Sequence, residues 1–242
     1  MKNMEIFPAG DCALVVEFGN RIEEEINDKV HALSVYLKKR EVKGIRETLP
    51  AFRSLMVFYD PSEIDFFKLS KIIRHYKPSD ERHCKKIKRK LIVPCCYGGE
   101  YGPDLNNMSA LTGVGQKEII RIHGETDYKI YMLGFLPGFV YLGGLNEKIA
   151  VPRLDTPRIK IPARSVGIGG NQTGVYPISS PGGWQLIGRT PLDFYDPDSA
   201  SPILCKAGEY IRFVSINETE YHAIRKDIKA GILKPEFVSE SD

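Results

Sequence analysis

Apolar and polar positions follow two different rhythms along this chain. Over the first 78 residues, continuous apolar runs alternate with spaced ones. The run 13–18 reads as a strand. Ile22, Ile26, Val30, Leu33 and Leu37 follow at spacings of four, four, three and four, which places them on one face of a helix. The runs 45–49 and 55–59 then read as two strands joined by Pro50-Ala51-Phe52-Arg53. A second amphipathic helix comes next, with Ser62 as its cap and Ile64, Phe67, Ile72 and Tyr76 on its buried side. If 87–93 supplies a fourth strand, the order is β-α-β-β-α-β, a split-βαβ, ferredoxin-like sandwich.

The segment Lys77-Pro78-Ser79-Asp80-Glu81-Arg82 is polar and carries a proline, so the domain boundary is expected there, giving domains 1–84 and 85–242. Beyond it the rhythm shortens. A loop over 95–104 leads into two short helices, near 105–112 and 116–124, the first with Asp104 in capping position. Short strand-like runs follow at 128–133, 165–168, 174–177, 185–188 and 210–215, the spacing of a closed or partly closed β-barrel. A helix over 218–230 and a fraying end at 239–242 complete an α+β chain.

Composition narrows the function classes. With 242 residues, 42% hydrophobic and 27% charged, the chain resembles an ordinary globular protein. A net charge of +3 is too slight to argue for nucleic acid, and the basic run Lys85-Lys86-Ile87-Lys88-Arg89-Lys90 reads as a solvated linker or strand edge. The five cysteines (Cys12, Cys84, Cys95, Cys96 and Cys205) are odd in number and lack a C-x-x-C pair, which fits neither a disulfide framework nor a zinc site. No protein-held metal is expected. There is no leader pattern at the start, and no apolar run approaches the roughly 18 residues a membrane span requires. A cytoplasmic protein is the default expectation.

The chemistry concentrates between Gly134 and Arg189, where 11 of the 22 glycines and six of the 16 prolines fall. The same stretch holds Lys148, Arg153, Arg158, Lys160, Arg164 and Arg189 against two acids, Glu147 and Asp155. Four arginines among proline-set turns suit a carboxylate or phosphate ligand, with surface salt bridges as the bland alternative. The octapeptide 183–190 nearly spells a phosphate-binding P-loop, but its interior is strand-like and Pro191 follows, so no helix N-terminus meets a phosphate. The glycine-rich stretch 167–174 is not a dinucleotide fingerprint. It reads either as an amide nest for an anion or as a plain hairpin. His123 closes a helix as a capping cation, a packed core group or a site residue. Ser179 and Ser180 lack any base beside them in sequence and read as a turn. Trp184, the single tryptophan, either stacks on a ligand or fills the barrel.

Several long motifs agree in order and spacing with one family. They are 94–105, 132–144, Val151-Pro152-Arg153, 170–177 and 180–191. In these the chain resembles the family of 5-oxoprolinase B subunits, also called allophanate hydrolase subunit 1, which includes the Kip inhibitor of a sporulation histidine kinase. The resemblance covers nearly the whole chain. It implies a small α/β domain followed by a cyclophilin-like β-barrel, with partners in a C subunit and an A subunit. It also implies cleavage of 5-oxo-L-proline to L-glutamate at the expense of ATP, carried as its Mg2+ complex, with this component inactive alone. The alternative it implies is docking on a sensor histidine kinase to block autophosphorylation. A peptidyl-prolyl isomerase follows by fold analogy only.

By position, the resemblance implies His123, Arg153 and Arg189 as catalytic candidates. It implies Arg158, Gln172, Thr173, Tyr176 and Gln185 as substrate- or nucleotide-binding candidates. Three departures stand out. Arg164 replaces the usual glycine of Pro-Ala-Gly-Ser, Val140 replaces a common proline, and Gly169-Gly170-Asn171 replaces a more usual Ala-Gly. Arg164 brings bulk and charge beside the expected pocket.

Overall fold

A computed structural model describes residues 4–21, 23–76 and 87–241. The chain forms two compact units, Met1–Lys86 and Ile87–Asp242. The expected boundary at 77–82 and the first expected helix position, Ile22, lie outside the described residues. Among those described, no helix is long and apolar enough to cross a membrane.

The first unit is a four-stranded antiparallel sheet backed by two helices. Its strands β1 (Glu5–Pro8), β2 (Ala13–Glu17), β3 (Ile45–Pro50) and β4 (Ser54–Tyr59) lie in the order β1-β2-β4-β3. Along β4, Leu55, Val57 and Tyr59 are buried in strict alternation, as a sheet with one covered face requires. Helix α1 (Glu24–Lys39) meets that face with Val30, Leu33 and Leu37.

Two details differ from the sequence reading. The edge beside β2 is filled by β1, where Phe7 pairs with Val15, and not by the run 87–93. That run belongs to the barrel, where its apolar side chains find their cover. Nor does Ser62 cap the second helix, α2 (Phe66–Arg74). Asp65 does, accepting from the Lys68 N–H at 2.8 Å. Ser62 is held by Asp60, whose carboxylate takes its N–H at 3.0 Å and its hydroxyl at 2.7 Å. With the start displaced, Phe67 is 80% exposed while Leu69 and Ile73 are buried.

The second unit is a closed barrel. Its strands are β5 (Ile87–Tyr97), β6 (Tyr128–Gly134), β7 (Phe139–Gly143), β9 (Ser165–Gly169), β10 (Gln172–Val175), β12 (Gln185–Arg189) and β13 (Tyr210–Ile216). They run β12-β9-β10-β7-β6-β13-β5, and β5 pairs again with β12, so seven strands close without a free edge. β5 lies parallel to β13, from Lys90↔Tyr210 to Cys96↔Ile216. A strand β14 (Phe237–Ser241) extends the sheet along β5, in place of the expected fraying end. The ribbon β8 (Arg158–Ile161) and β11 (Ser180–Gly182) stands apart from this sheet. Helices α3 (Leu105–Thr112), α4 (Gln116–Glu125) and α5 (Glu218–Lys229) complete the unit. Val93, Val140, Val166, Ile168, Val175, Ile187 and Phe213 fill the interior.

Candidate functional site

A second apolar cluster lies apart from the barrel core. Phe139, Ile161, Tyr176, Trp184 and Leu186 form it, with Leu136 and Tyr141 packed alongside. Three aromatic rings meet Trp184 edge-on: Phe139 at 5.6 Å, Tyr141 at 6.0 Å and Tyr176 at 6.3 Å between centres. The glycine-rich stretch is the hairpin β9–β10, and its glycines seat this indole. A β-carbon on Gly169 would stand 2.6 Å from two atoms of the Trp184 ring, and one on Gly174 would stand 2.9 Å from a third. Only glycine leaves room for that approach.

Cations border this aromatic face. The exposed Arg153 guanidinium carbon lies 5.9 Å from the Trp184 ring centre, within range for cation–π attraction. Arg158 donates through Nη2 to Asp104 Oδ1 at 2.6 Å and through Nη1 to the Trp184 carbonyl at 3.5 Å. Asp104 therefore does not cap α3 with its side chain, contrary to what its position suggests. Its second oxygen accepts the Leu186 N–H at 2.6 Å, so one carboxylate fixes both Arg158 and the start of β12.

Two tyrosines sit within reach of these charges. Burial pushes the Tyr176 phenol up to about 12, with Arg153 and Arg158 pulling the other way. Burial also raises Tyr141, again opposed by Arg153. Both phenols are neutral donors near neutral pH. Gln185 is tied at 3.5 Å to the Pro152 carbonyl and accepts from Asn107 at 3.3 Å. Gln172 opens β10 with Gly169, which lies under the Trp184 ring, as its register partner.

Arg153, Arg158 and Tyr176 are thus brought together around Trp184, with Gln172 opposite the glycine beneath it. Gln185 turns instead to Asn107 and Pro152, and the other expected residues go elsewhere. His123 is fully buried, with the rings of Phe213 at 4.5 Å and Tyr128 at 5.2 Å. Its Nδ1 meets the Tyr97 hydroxyl at 2.7 Å and its Nε2 meets Thr173 Oγ1 at 2.9 Å. Thr173 in turn donates to the Gly167 carbonyl at 3.0 Å. One proton arrangement satisfies the whole chain, a neutral imidazole protonated on Nε2. Burial alone pulls its pKa down to about 3. His123 and Thr173, expected at the ligand, are core groups that tie α4 to β10.

The arginines also separate. Arg189, at the far end of β12 from Gln185, lies 5.6 Å from the Tyr101 ring centre and not with Trp184. Arg164 pairs with Asp193 at 3.4 Å. The four guanidinium groups do not share one site: Arg153 and Arg158 border Trp184, while Arg164 and Arg189 lie away from it. Sequence reasoning missed Asp104 and Tyr141 as site residues. Both stand inside matched motifs, Tyr141 in 132–144 and Asp104 in 94–105, but nothing local points to the pairing of Asp104 with Arg158, 54 residues away.

The carboxyltransferase domain family, subdomain C and D, matches residues 4–205. The chain is 43% identical over 235 residues to the B subunit of 5-oxoprolinase from Bacillus subtilis (strain 168), covering 92% of this chain and 97% of that one. Among solved structures it is similar to TTHA0988, with a TM-score of 0.74 and 29% identity over 85% of this chain. It spans 40% of that structure's chain. A conserved uncharacterized protein of Pyrococcus horikoshii matches with a TM-score of 0.54 and 42% identity, over 90% of this chain and 100% of its own.

Proposed function

The chain belongs to the carboxyltransferase domain family, subdomain C and D, and within it to the B subunits of 5-oxoprolinase, and on that premise we propose that it is the B component of an ATP-dependent 5-oxoprolinase. The observation that carries this reading is the 43% identity extending over nearly the full length of both chains. The geometry agrees with the chemistry. 5-Oxo-L-proline is a small ring bearing a carboxylate, and an indole walled by aromatic edges beside the exposed Arg153 offers a surface for each part.

The face binds and orients; it does not perform the reaction. Arg158 is already matched by Asp104, and Tyr176 and Tyr141 hold their protons. An unstrained amide resists water, and phosphorylation of its oxygen by ATP supplies a good leaving group. The groups that activate water come in this reading from the C and A subunits, and the holding of ATP and its Mg2+ is shared with them. Phe135 and Ile159, 62% and 91% exposed, stand close in sequence to Phe139 and Arg158 and suit such a contact. This chain alone is then inactive.

Co-expression with the C and A subunits, followed by measurement of glutamate released from 5-oxoproline, tests this directly. Release that requires both ATP and this chain is the expected result. A complete complex that forms no glutamate with ATP removes the assignment.

A further inference from the structure

We propose a phosphate-binding site in the barrel unit, formed by Arg164, Arg189 and Arg225. The three come from separate elements: the turn before β9, the end of β12, and α5. The backbone sets the first two side by side. Ser165 is the register partner of Arg189, and the Thr190 N–H donates to the Arg164 carbonyl at 3.0 Å. Arg225 reaches the same place from the helix, donating through Nη1 to the Pro191 carbonyl at 3.0 Å and to Asp193 Oδ2 at 2.5 Å.

Charge at this place is unbalanced. Asp193 is shared, since Arg164 Nη1 lies 3.4 Å from its other oxygen. Arg189 makes no ion pair among the described residues. It stacks on Tyr101, whose ring packs at 4.8 Å against Tyr221, one helical turn before Arg225. The Nε of each of the three arginines is buried with no hydrogen-bond partner among the described residues. Three cations therefore answer to one bonded carboxylate. Glu218 borders the patch from α5, held at 3.4 Å by the Tyr101 hydroxyl. Partly buried guanidinium groups left unmatched destabilise a fold, so such a trio points to an anion that completes it.

Arg164 adds an independent sign. Its φ is +69°, and only one other non-glycine residue among those described, Glu41, has a positive φ. A β-carbon is strained in that region, and a strained residue held in place points to a use for its side chain. The side chains remain reachable, Arg164 being 25% and Arg225 17% exposed. Three guanidinium groups over a single bonded carboxylate suit a phosphoryl group, which carries about two negative charges and three acceptor oxygens. A lone carboxylate would engage one guanidinium fork and leave the others unmatched.

This site stands whether or not the chain serves an oxoprolinase, because binding is read on the full chain alone. Titration calorimetry with inorganic phosphate, pyrophosphate, ATP and acetate at constant ionic strength tests it. Saturable binding of the phosphate compounds, and none of acetate, is expected. ATP binding more tightly than pyrophosphate identifies a nucleotide as the source, and equal affinities identify the free phosphoryl group. Arg164→Gly is the informative variant, since glycine suits a positive φ. It should melt at the same or a higher temperature without ligand and bind pyrophosphate about tenfold more weakly. Arg189→Gln should lose as much. No saturable binding by the unaltered chain, acetate binding as tight as phosphate, or undiminished affinity in both variants overturns the proposal.

Discussion

Arg158 and Asp104, 54 residues apart in the chain, meet at 2.6 Å between Nη2 and Oδ1. The other Asp104 oxygen holds the Leu186 N–H. This carboxylate therefore joins three segments: the loop before α3, the ribbon strand β8 and the start of β12. The aromatic face around Trp184 depends on that junction, because Leu186 and Trp184 belong to the same turn of chain.

Asp104→Ala leaves Arg158 unmatched and a buried N–H without its acceptor, since Asp104 is itself largely buried. A loss of about 3 kcal/mol in unfolding free energy is expected. A double-mutant cycle of Asp104→Asn with Arg158→Gln isolates the ion pair. Additive effects would show that the two side chains do not act as a unit.

His123 makes the fold sensitive to acid. Its folded pKa is depressed to about 3 by burial, against an ordinary value of 6.5. Below pH 6.5 the unfolded chain takes up this proton and the folded one does not, so the contribution is complete above that value and fades as pH falls toward 3. The slope from this group is about 1.4 kcal/mol per pH unit. Unfolding midpoints from pH 7.5 to 4 should fall less steeply in His123→Gln, whatever its stability at neutral pH. Parallel curves for the two proteins would remove His123 as the source.

Gly169→Val drives a side chain into the Trp184 ring, which a β-carbon at that position would approach to 2.6 Å. Stability should fall by about 1–3 kcal/mol. Because Trp184 is the single tryptophan, its emission reports the displacement directly. Unchanged emission would mean that the indole does not rest on this glycine.

Arg153→Ala separates binding from folding. The side chain is exposed and borders the Trp184 ring, so stability should stay within about 0.5 kcal/mol. In the assembled complex, glutamate release from 5-oxoproline should drop at least about tenfold, with the loss in KM if Arg153 only holds the carboxylate. Full turnover in this variant would take Arg153 out of the site.

Much of the fold is legible along the chain because it rests on local regularities. The apolar stripe through Val30, Leu33 and Leu37 and the strand runs near 45–49 and 55–59 reappear as α1, β3 and β4 within a residue or two. The run 87–93 is recognisable as a strand, yet its neighbours cannot be read. An apolar run does not say which sheet will cover it, and here the choice lies between two units. The start of α2 is misplaced by sequence because Ser62 and Asp65 are equally good caps by composition, and the Asx turn at Asp60 decides between them.

The candidate site divides along the same line. Sequence alone established a glycine- and proline-rich stretch carrying arginines, its family, and the barrel that stretch helps to build. It also singled out Arg153, Arg158 and Tyr176, which do gather around Trp184. Tertiary structure alone decided that His123 and Thr173 face inward, that Asp104 answers Arg158, and that Arg164 and Arg225 share Asp193. The physical reason is closure. Residue type and spacing set what a side chain can do and which local element it joins, but in a closed barrel each strand's neighbours, and thus each side chain's partners, come from contacts dozens of residues away.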